Sequence, residues 1–210
     1  MTTLFYSPGA CSLAPHIVLE WIGQPYVAHR VKYGSEELLA VNPTGAVPVL
    51  REDDGWILTQ ASAILDYLAQ KHPEAGLGGN GDPRHAAELH KWTAFLTSDL
   101  HAAYWPFFMT DRFTTDTDKA ARDAVVEAAR LMIAKKLTIL DEHMQGRDWM
   151  VGDGKGRRSI ADAYIFPMIR WARAVFPDDL ARWPNLNALR DRIGADEAVR
   201  RVLADEASKG

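Results

Sequence analysis

The single cysteine of the chain, Cys11, lies in a short segment rich in glycine, proline and serine. An apolar run that ends at Tyr6 precedes this segment, and a helical pattern that includes Leu13 and Ile17 follows it. A thiol at such a strand-to-helix turn lies beside unpaired N–H groups and the positive end of the helix dipole. That position can lower a thiol pKa from about 8.5 into roughly the 3.5–7.5 range. The sequence therefore points to a reactive cysteine, with a buried structural cysteine as the alternative.

A second candidate for chemistry is His101, in the middle of a long helical segment. Helical spacing places Thr97, Ser98 and Trp105 on the same face as this histidine. An imidazole with a pKa near 6.5 can carry a proton at physiological pH. His101 is therefore a candidate acid–base group, and a histidine at the surface or at the edge of the core is the alternative.

Two further features of the sequence have a structural interpretation. Pro48 interrupts an apolar run, which indicates an edge strand or a cis Val47–Pro48 bond that turns the backbone toward a ligand. Ser159 and Asp162 have the spacing of a capping box at the start of an apolar helix. We therefore expect these two polar residues to stabilise a helix rather than to catalyse a reaction.

Composition and spacing exclude several classes of function. No set of residues has metal-ligand spacing or the spacing of a P-loop, and a lone cysteine cannot form an internal disulfide. The net charge of −4, from 24 basic and 28 acidic residues, gives no basic surplus for nucleic acid. No apolar run approaches the 18 residues that a membrane span needs. The default expectation is a cytoplasmic protein.

The elements that position these residues fall into two groups. Residues 1–75 mix strand and helix patterns in the order β-α-β-(α)-β-β-α. Residues 76–84, rich in glycine and proline, are predicted to be a linker. Residues 85–210 have helical patterns throughout, and Pro106 should kink the first long helix or end its regular part. The fold class is α/β followed by all-α, and 47% hydrophobic residues suffice for these cores.

Together these segments resemble the bacterial beta-class glutathione S-transferases over nearly the whole chain. The similarity rests on residues 6–17, 42–50 and 58–68, on His101, and on residues 159–164, in this order and at this spacing. It implies a thioredoxin-like N-terminal domain that binds glutathione, an all-helical C-terminal domain and a homodimer.

The resemblance also implies roles for individual residues. Cys11 and His101 would be catalytic and would face the sulfur of glutathione, and Val47, before a cis Pro48, would pair with the cysteinyl backbone. Further contacts with glutathione would come from Tyr6, Ser12, Gln60, Ala61, Ser62 and Asp99, the last across the dimer. The start of the third helix would receive the γ-glutamyl carboxylate on backbone N–H groups. Tyr104, Phe108 and Trp171 would form the apolar pocket for a second substrate.

The implied activity leaves two chemistries open. The enzyme could conjugate the glutathione thiol to small apolar electrophiles, as in detoxification, or Cys11 could exchange thiols with disulfide substrates. A specialised dehalogenase or isomerase that uses glutathione is a further alternative within the family.

Two segments depart from the family pattern. Residues 31–39 are short and acidic where the family carries a longer segment with a lysine, and Gln60 and Ala61 replace an acid followed by serine or glycine. Loss of one charge-assisted hydrogen bond costs about 1.5–3 kcal/mol, so we expect weaker glutathione binding than in a typical member. The same departures motivate a second hypothesis, an interaction protein that keeps the fold with weak or no catalysis.

Overall fold

A computed structural model describes residues 1–153 and 155–208, so Gly154 and the last two residues of the predicted helical domain lie outside the described part. Four strands form one sheet in the order β2-β1-β3-β4: β1 Thr3–Tyr6, β2 Val27–Arg30, β3 Val49–Arg51 and β4 Ile57–Thr59. β1 is parallel to β2, whereas β3 is antiparallel to both β1 and β4. The helices of this domain are α1 Leu13–Ile22, α2 Glu36–Val41 and α3 Ala61–Lys71. This arrangement confirms the predicted thioredoxin-like fold.

Side chains alternate along β1 and divide the core of this domain into two clusters. Leu4 and Tyr6 pack with the apolar residues of α1 and α3. Phe5 lies in a separate cluster with Val49 and with Leu38 of α2. The sheet is therefore covered on both faces.

The rest of the described chain is helical, as the sequence predicts. The helices are α4 Pro83–Phe95, α5 Ala102–Phe108, α6 Lys119–His143, α7 Ile160–Val175, α8 Pro184–Ala195 and α9 Glu197–Ser208. α7 is buried along most of its length and packs against α1 and α3, so it joins the two domains. α4 begins at Pro83, inside the segment assigned to the linker. Among the described helices, none combines the length and apolar character of a membrane span.

The first long helical segment is interrupted before Pro106 rather than at it. Residues Leu96–His101 form a π-helical stretch between α4 and α5, and Pro106 lies inside α5, which ends at Phe108. The sequence carries no signal for this stretch, because its residues have ordinary helical spacing. π-helical turns occur frequently at functional sites, and this one carries His101.

Candidate active site

A cavity of about 530 Å³ lies between the two domains, within the usual range for small-molecule sites. From the N-terminal domain its wall is formed by Pro8, Gly9, Ala10, Cys11, Tyr33, Asn42, Thr44, Ala46, Val47, Pro48, Gln60 and Ala61. The helical domain contributes Thr97, His101, Tyr104, Trp105, Phe108, Met109, Tyr164 and Trp171. The two predicted catalytic residues thus share one cavity although they come from different domains.

The turn that carries Cys11 is closed by two serines. The Ser7 N–H donates to Ser12 Oγ at 3.1 Å, and the Ser12 hydroxyl donates back to the Ser7 carbonyl at 3.1 Å. Ser12 is fully buried and is not part of the cavity wall. Its hydroxyl therefore stabilises the turn, which differs from the predicted contact with glutathione.

The helical domain also holds this turn, at Gly9. The Gly9 N–H donates to a carboxylate oxygen of Glu206 at 2.9 Å, and the Gly9 carbonyl accepts the indole N–H of Trp171 at 2.8 Å. The second carboxylate oxygen of Glu206 lies 3.1 Å from Nδ1 of His16. Gly9 has φ +73°, a conformation that glycine adopts without the steric cost of a Cβ atom. The position of Cys11 is thus set by both domains.

The thiol of Cys11 is protonated in this environment. It is 8% exposed, and it donates a hydrogen bond to the Val47 carbonyl at 3.4 Å. Burial raises the pKa of Cys11 to about 12, and the backbone N–H groups of Cys11 and Ser12 offset only part of this shift. The expected lowering of the thiol pKa by the helix terminus is therefore wrong for the free protein. Loss of contact with water outweighs the favourable dipole.

Two backbone features of the N-terminal domain also contribute to the cavity wall. The Val47–Pro48 peptide bond is cis, as predicted. Gln60 has φ +73° and, among the described residues, is the only non-glycine with a positive φ. It directly precedes α3, whose first turn has no side-chain cap. Because no side chain caps this helix start, the first N–H groups of α3 can bind an anion.

His101 lies against aromatic rings of the helical domain. Its imidazole stacks on Trp105 at a centroid distance of 5.7 Å and contacts Trp171 at 5.2 Å. Burial lowers the pKa of His101 to about 4. The imidazole is therefore neutral at pH 7. In the sequence, His101 was a candidate acid–base group because a free imidazole has a pKa near 6.5. In the folded protein its pKa is well below that value.

Tyr164 is a site residue that the sequence analysis did not single out, although it ends the segment 159–164. Its hydroxyl lies 3.4 Å from both His101 Nδ1 and Thr97 Oγ1. Thr97 donates its own proton to the Thr93 carbonyl at 2.8 Å. The Tyr164 proton therefore goes either to Thr97 or to His101, and in the second case Nε2 carries the imidazole proton.

The three aromatic residues predicted for a second-substrate pocket lie together in the cavity. The ring of Tyr104 is 5.9 Å from that of Phe108 and 5.3 Å from that of Trp171. Phe108 remains 48% exposed, so this end of the cavity opens to solvent. Trp105 and Met109 extend the same apolar surface.

The remaining predicted contacts have different positions. Val47, Pro48, Gln60 and Ala61 line the cavity, whereas Tyr6, Ser62 and Asp99 are not part of its wall. Tyr6 is buried beneath the wall against the ring of His16. The carboxylate of Asp99 instead accepts hydrogen bonds from Lys136 and Ser98. The hydrogen bond from Lys136 is the main cause that lowers the pKa of Asp99.

Known proteins with similar sequences and structures match nearly the whole length of this chain. Residues 11–76 match the family model of the glutathione S-transferase N-terminal domain, and residues 123–192 match that of the C-terminal domain. Glutathione S-transferase GST-4.5 of Xanthomonas campestris is 40% identical across 97% of this chain and 98% of its own length. A sphingomonad glutathione S-transferase complexed with glutathione has a TM-score of 0.83 at 34% identity, with 98% of each chain covered. The beta-class enzyme of Sphingomonas chungbukensis has a TM-score of 0.83 at 33% identity, with 97% of this chain and 98% of the other covered.

Proposed function

The chain belongs to the glutathione S-transferase family and is a glutathione transferase of the bacterial beta class, and from that premise we propose that it conjugates glutathione to small apolar electrophiles. In this proposal the thiol of Cys11 donates a hydrogen bond to the sulfur of bound glutathione. One observation carries it: the Cys11 thiol is protonated and lies in the cavity beside Val47.

Glutathione binding changes the partner of that thiol. When the cysteinyl unit of glutathione pairs with Val47, its N–H takes the carbonyl that Cys11 occupies in the free protein. The S–H group of Cys11 is then released toward the sulfur of glutathione. A hydrogen bond to a charged acceptor is worth about 1.5–3 kcal/mol, so this contact favours the thiolate form of glutathione.

His101 and the aromatic wall complete the site. With Tyr164 donating to Nδ1, the neutral imidazole presents Nε2–H as a donor from the helical domain. Tyr104, Phe108 and Trp171 bind the electrophile beside the sulfur. The thiolate attacks the electrophilic carbon, a carbon–sulfur bond forms, the bond to the leaving group breaks, and the thiol proton passes to solvent.

Thiol–disulfide exchange through Cys11 is less well supported. The thiolate, not the thiol, is the attacking species in exchange. A buried thiol with a pKa of about 12 supplies little thiolate at pH 7. The same geometry disfavours the hypothesis of a purely interacting protein, because the cavity keeps both catalytic candidates and an open aromatic pocket.

A matched pair of substitutions tests the role of Cys11. Cys11→Ser keeps a donor of similar size, so kcat/KM with 1-chloro-2,4-dinitrobenzene should stay within about fivefold of wild type, whereas Cys11→Ala should lower it by roughly 10- to 150-fold. Reduction of a mixed glutathione disulfide by the wild-type enzyme should be slow. If Cys11→Ala conjugates at the wild-type rate while wild-type disulfide reduction is fast, Cys11 is an exchange nucleophile and the proposal fails.

We also propose a cytoplasmic homodimer that serves in detoxification. Exposed large apolar side chains include Trp56, just before β4, with Ile57 on β4, and Leu131 with Met132 on α6, which supports a partner subunit. Across such an interface Asp99 would reach the amino group of glutathione. Light scattering that gives the mass of one subunit, 23.4 kDa, at all concentrations would exclude the dimer.

A further inference from the structure

We infer that the glutathione site contacts the glycyl end of its substrate through neutral groups, so that it also accepts glutathione derivatives whose glycyl carboxylate is esterified or amidated. This inference rests on the proposed function and narrows its substrate class. The glycyl end is bound at the end of the cavity remote from the sulfur.

The charge of the cavity wall is the first observation. Among the described residues, the wall contains no lysine, arginine, aspartate or glutamate. Its one histidine, His101, is neutral because burial lowers its pKa to about 4. Glutathione carries two carboxylates and one ammonium group at neutral pH. Each carboxylate of the substrate that lies within this wall must therefore be bound by dipoles alone.

The position of the glycyl end follows from the rest of the site. The γ-glutamyl carboxylate belongs at the start of α3, beside Gln60 and Ala61. A peptide paired with Val47 then extends its other end toward Ala46 and Thr44. The loop with Tyr33 borders this region, because the Gly34 N–H donates to the Gly45 carbonyl at 3.3 Å. The glycyl end therefore lies between Tyr33 and the turn that contains Thr44.

The polar side chains of that turn are already engaged. Asn42 donates to the Ala46 carbonyl at 2.7 Å, and its Oδ1 accepts both the N–H and the hydroxyl of Thr44, at 3.2 and 3.0 Å. Thr44 has thus committed its single hydroxyl proton. Tyr33, 51% exposed, remains as a side-chain donor at this end of the wall. The nearest cation in the sequence, Lys32, is exposed and is not part of the wall.

The hydroxyl of Tyr33 can donate a hydrogen bond with the same geometry to a carboxylate or to an ester carbonyl. The charged acceptor gives the stronger bond, which limits the preference for the free acid to roughly fivefold. A wall with a lysine would instead prefer the free acid by roughly 10- to 150-fold. Since Tyr33 and Thr44 are both exposed, the added ester group extends into solvent.

The test compares kcat/KM for glutathione and for its glycyl monoethyl ester, with 1-chloro-2,4-dinitrobenzene as electrophile. In wild type the free acid should be preferred by no more than about fivefold. Tyr33→Lys places an ammonium group in the wall and should raise that preference at least about tenfold. Lys32→Ala is the matched control and should leave it unchanged. Both positions are exposed, so the variants should fold, and circular dichroism checks this.

Wild-type preference for the free acid above fivefold would overturn the inference while leaving the proposed function intact. A Lys32→Ala variant that loses an existing preference would also overturn it, because a cation would then read the carboxylate. Absence of turnover with both thiols, together with no calorimetric signal for glutathione, would instead overturn the proposed function and this inference with it.

Discussion

Two helices of this protein begin beside polar side chains suited to chemistry, and their surroundings give them opposite roles. α1 begins two residues after Cys11 and has no side-chain cap. α7 begins with a complete capping box formed by Ser159 and Asp162. Cys11, beside the start of α1, lines the cavity. Ser159 and Asp162, at the start of α7, are buried in the core of the helical domain.

The difference lies in how fully each polar group is satisfied. The carboxylate of Asp162 accepts the Met150 N–H at 2.9 Å, the Ser159 N–H at 2.7 Å and the Ser159 hydroxyl at 2.9 Å. The thiol of Cys11 has one long hydrogen bond, to Val47, and a ligand can take that partner away. A polar group whose partners all come from the fold stabilises it, whereas one that faces a cavity remains available to a ligand.

Alanine substitutions at Asp162 and at Cys11 should lower the free energy of unfolding by very different amounts. Asp162→Ala leaves three buried donors without their acceptor, so the free energy of unfolding should fall by about 3–5 kcal/mol. Cys11→Ala loses one weak hydrogen bond and a small side chain, so it should cost about 1 kcal/mol or less. Urea unfolding at pH 7 measures both. Equal losses in the two variants would show that Cys11 supports the fold as strongly as Asp162 does.

The stability of the protein in acid tests the protonation state of His101 in the cavity. The pKa of His101 is about 4 in the folded protein and near 6.5 when unfolded, so only the unfolded chain binds this proton between those values. Stability from this group is present above pH 6.5 and is lost as the pH falls toward 4. Between pH 7 and 4.5, wild type should lose about 2–3 kcal/mol more than His101→Gln. If urea unfolding shows that both proteins lose the same stability, folding does not lower the pKa of His101.

The smallest expected effect concerns the residue that connects the two regions, Trp171 of α7. Trp171→Phe keeps an aromatic wall but removes the hydrogen bond to the Gly9 carbonyl in the Cys11 turn. One neutral hydrogen bond contributes about 0.5–1.5 kcal/mol, so kcat/KM should fall by roughly 2- to 10-fold. Trp105→Phe, the same truncation elsewhere in the wall, is the control. A fall of the same size in that variant would show that aromatic area matters rather than the hydrogen bond.

Much of the fold could be predicted because its signals are local. The helix stop at Gly23, which adopts a left-handed conformation, and the capping box at Ser159 follow from residue type and spacing. The order of strands and helices, the two-domain architecture and the glutathione transferase family were also predicted correctly. The π-helical stretch Leu96–His101 was missed because its residues have ordinary helical spacing.

The site was predicted in outline but not in its electrostatics. The family resemblance implied that Cys11 and His101 share one site, and both residues line the same cavity in the structure. Only the tertiary structure determined that Cys11 is protonated and His101 neutral, because burial by the other domain changes the energy of each charged form. It alone brought Tyr164 to His101 and Tyr33 to the cavity. Sequence spacing thus determines which groups lie on an element, whereas their protonation depends on everything that packs around them.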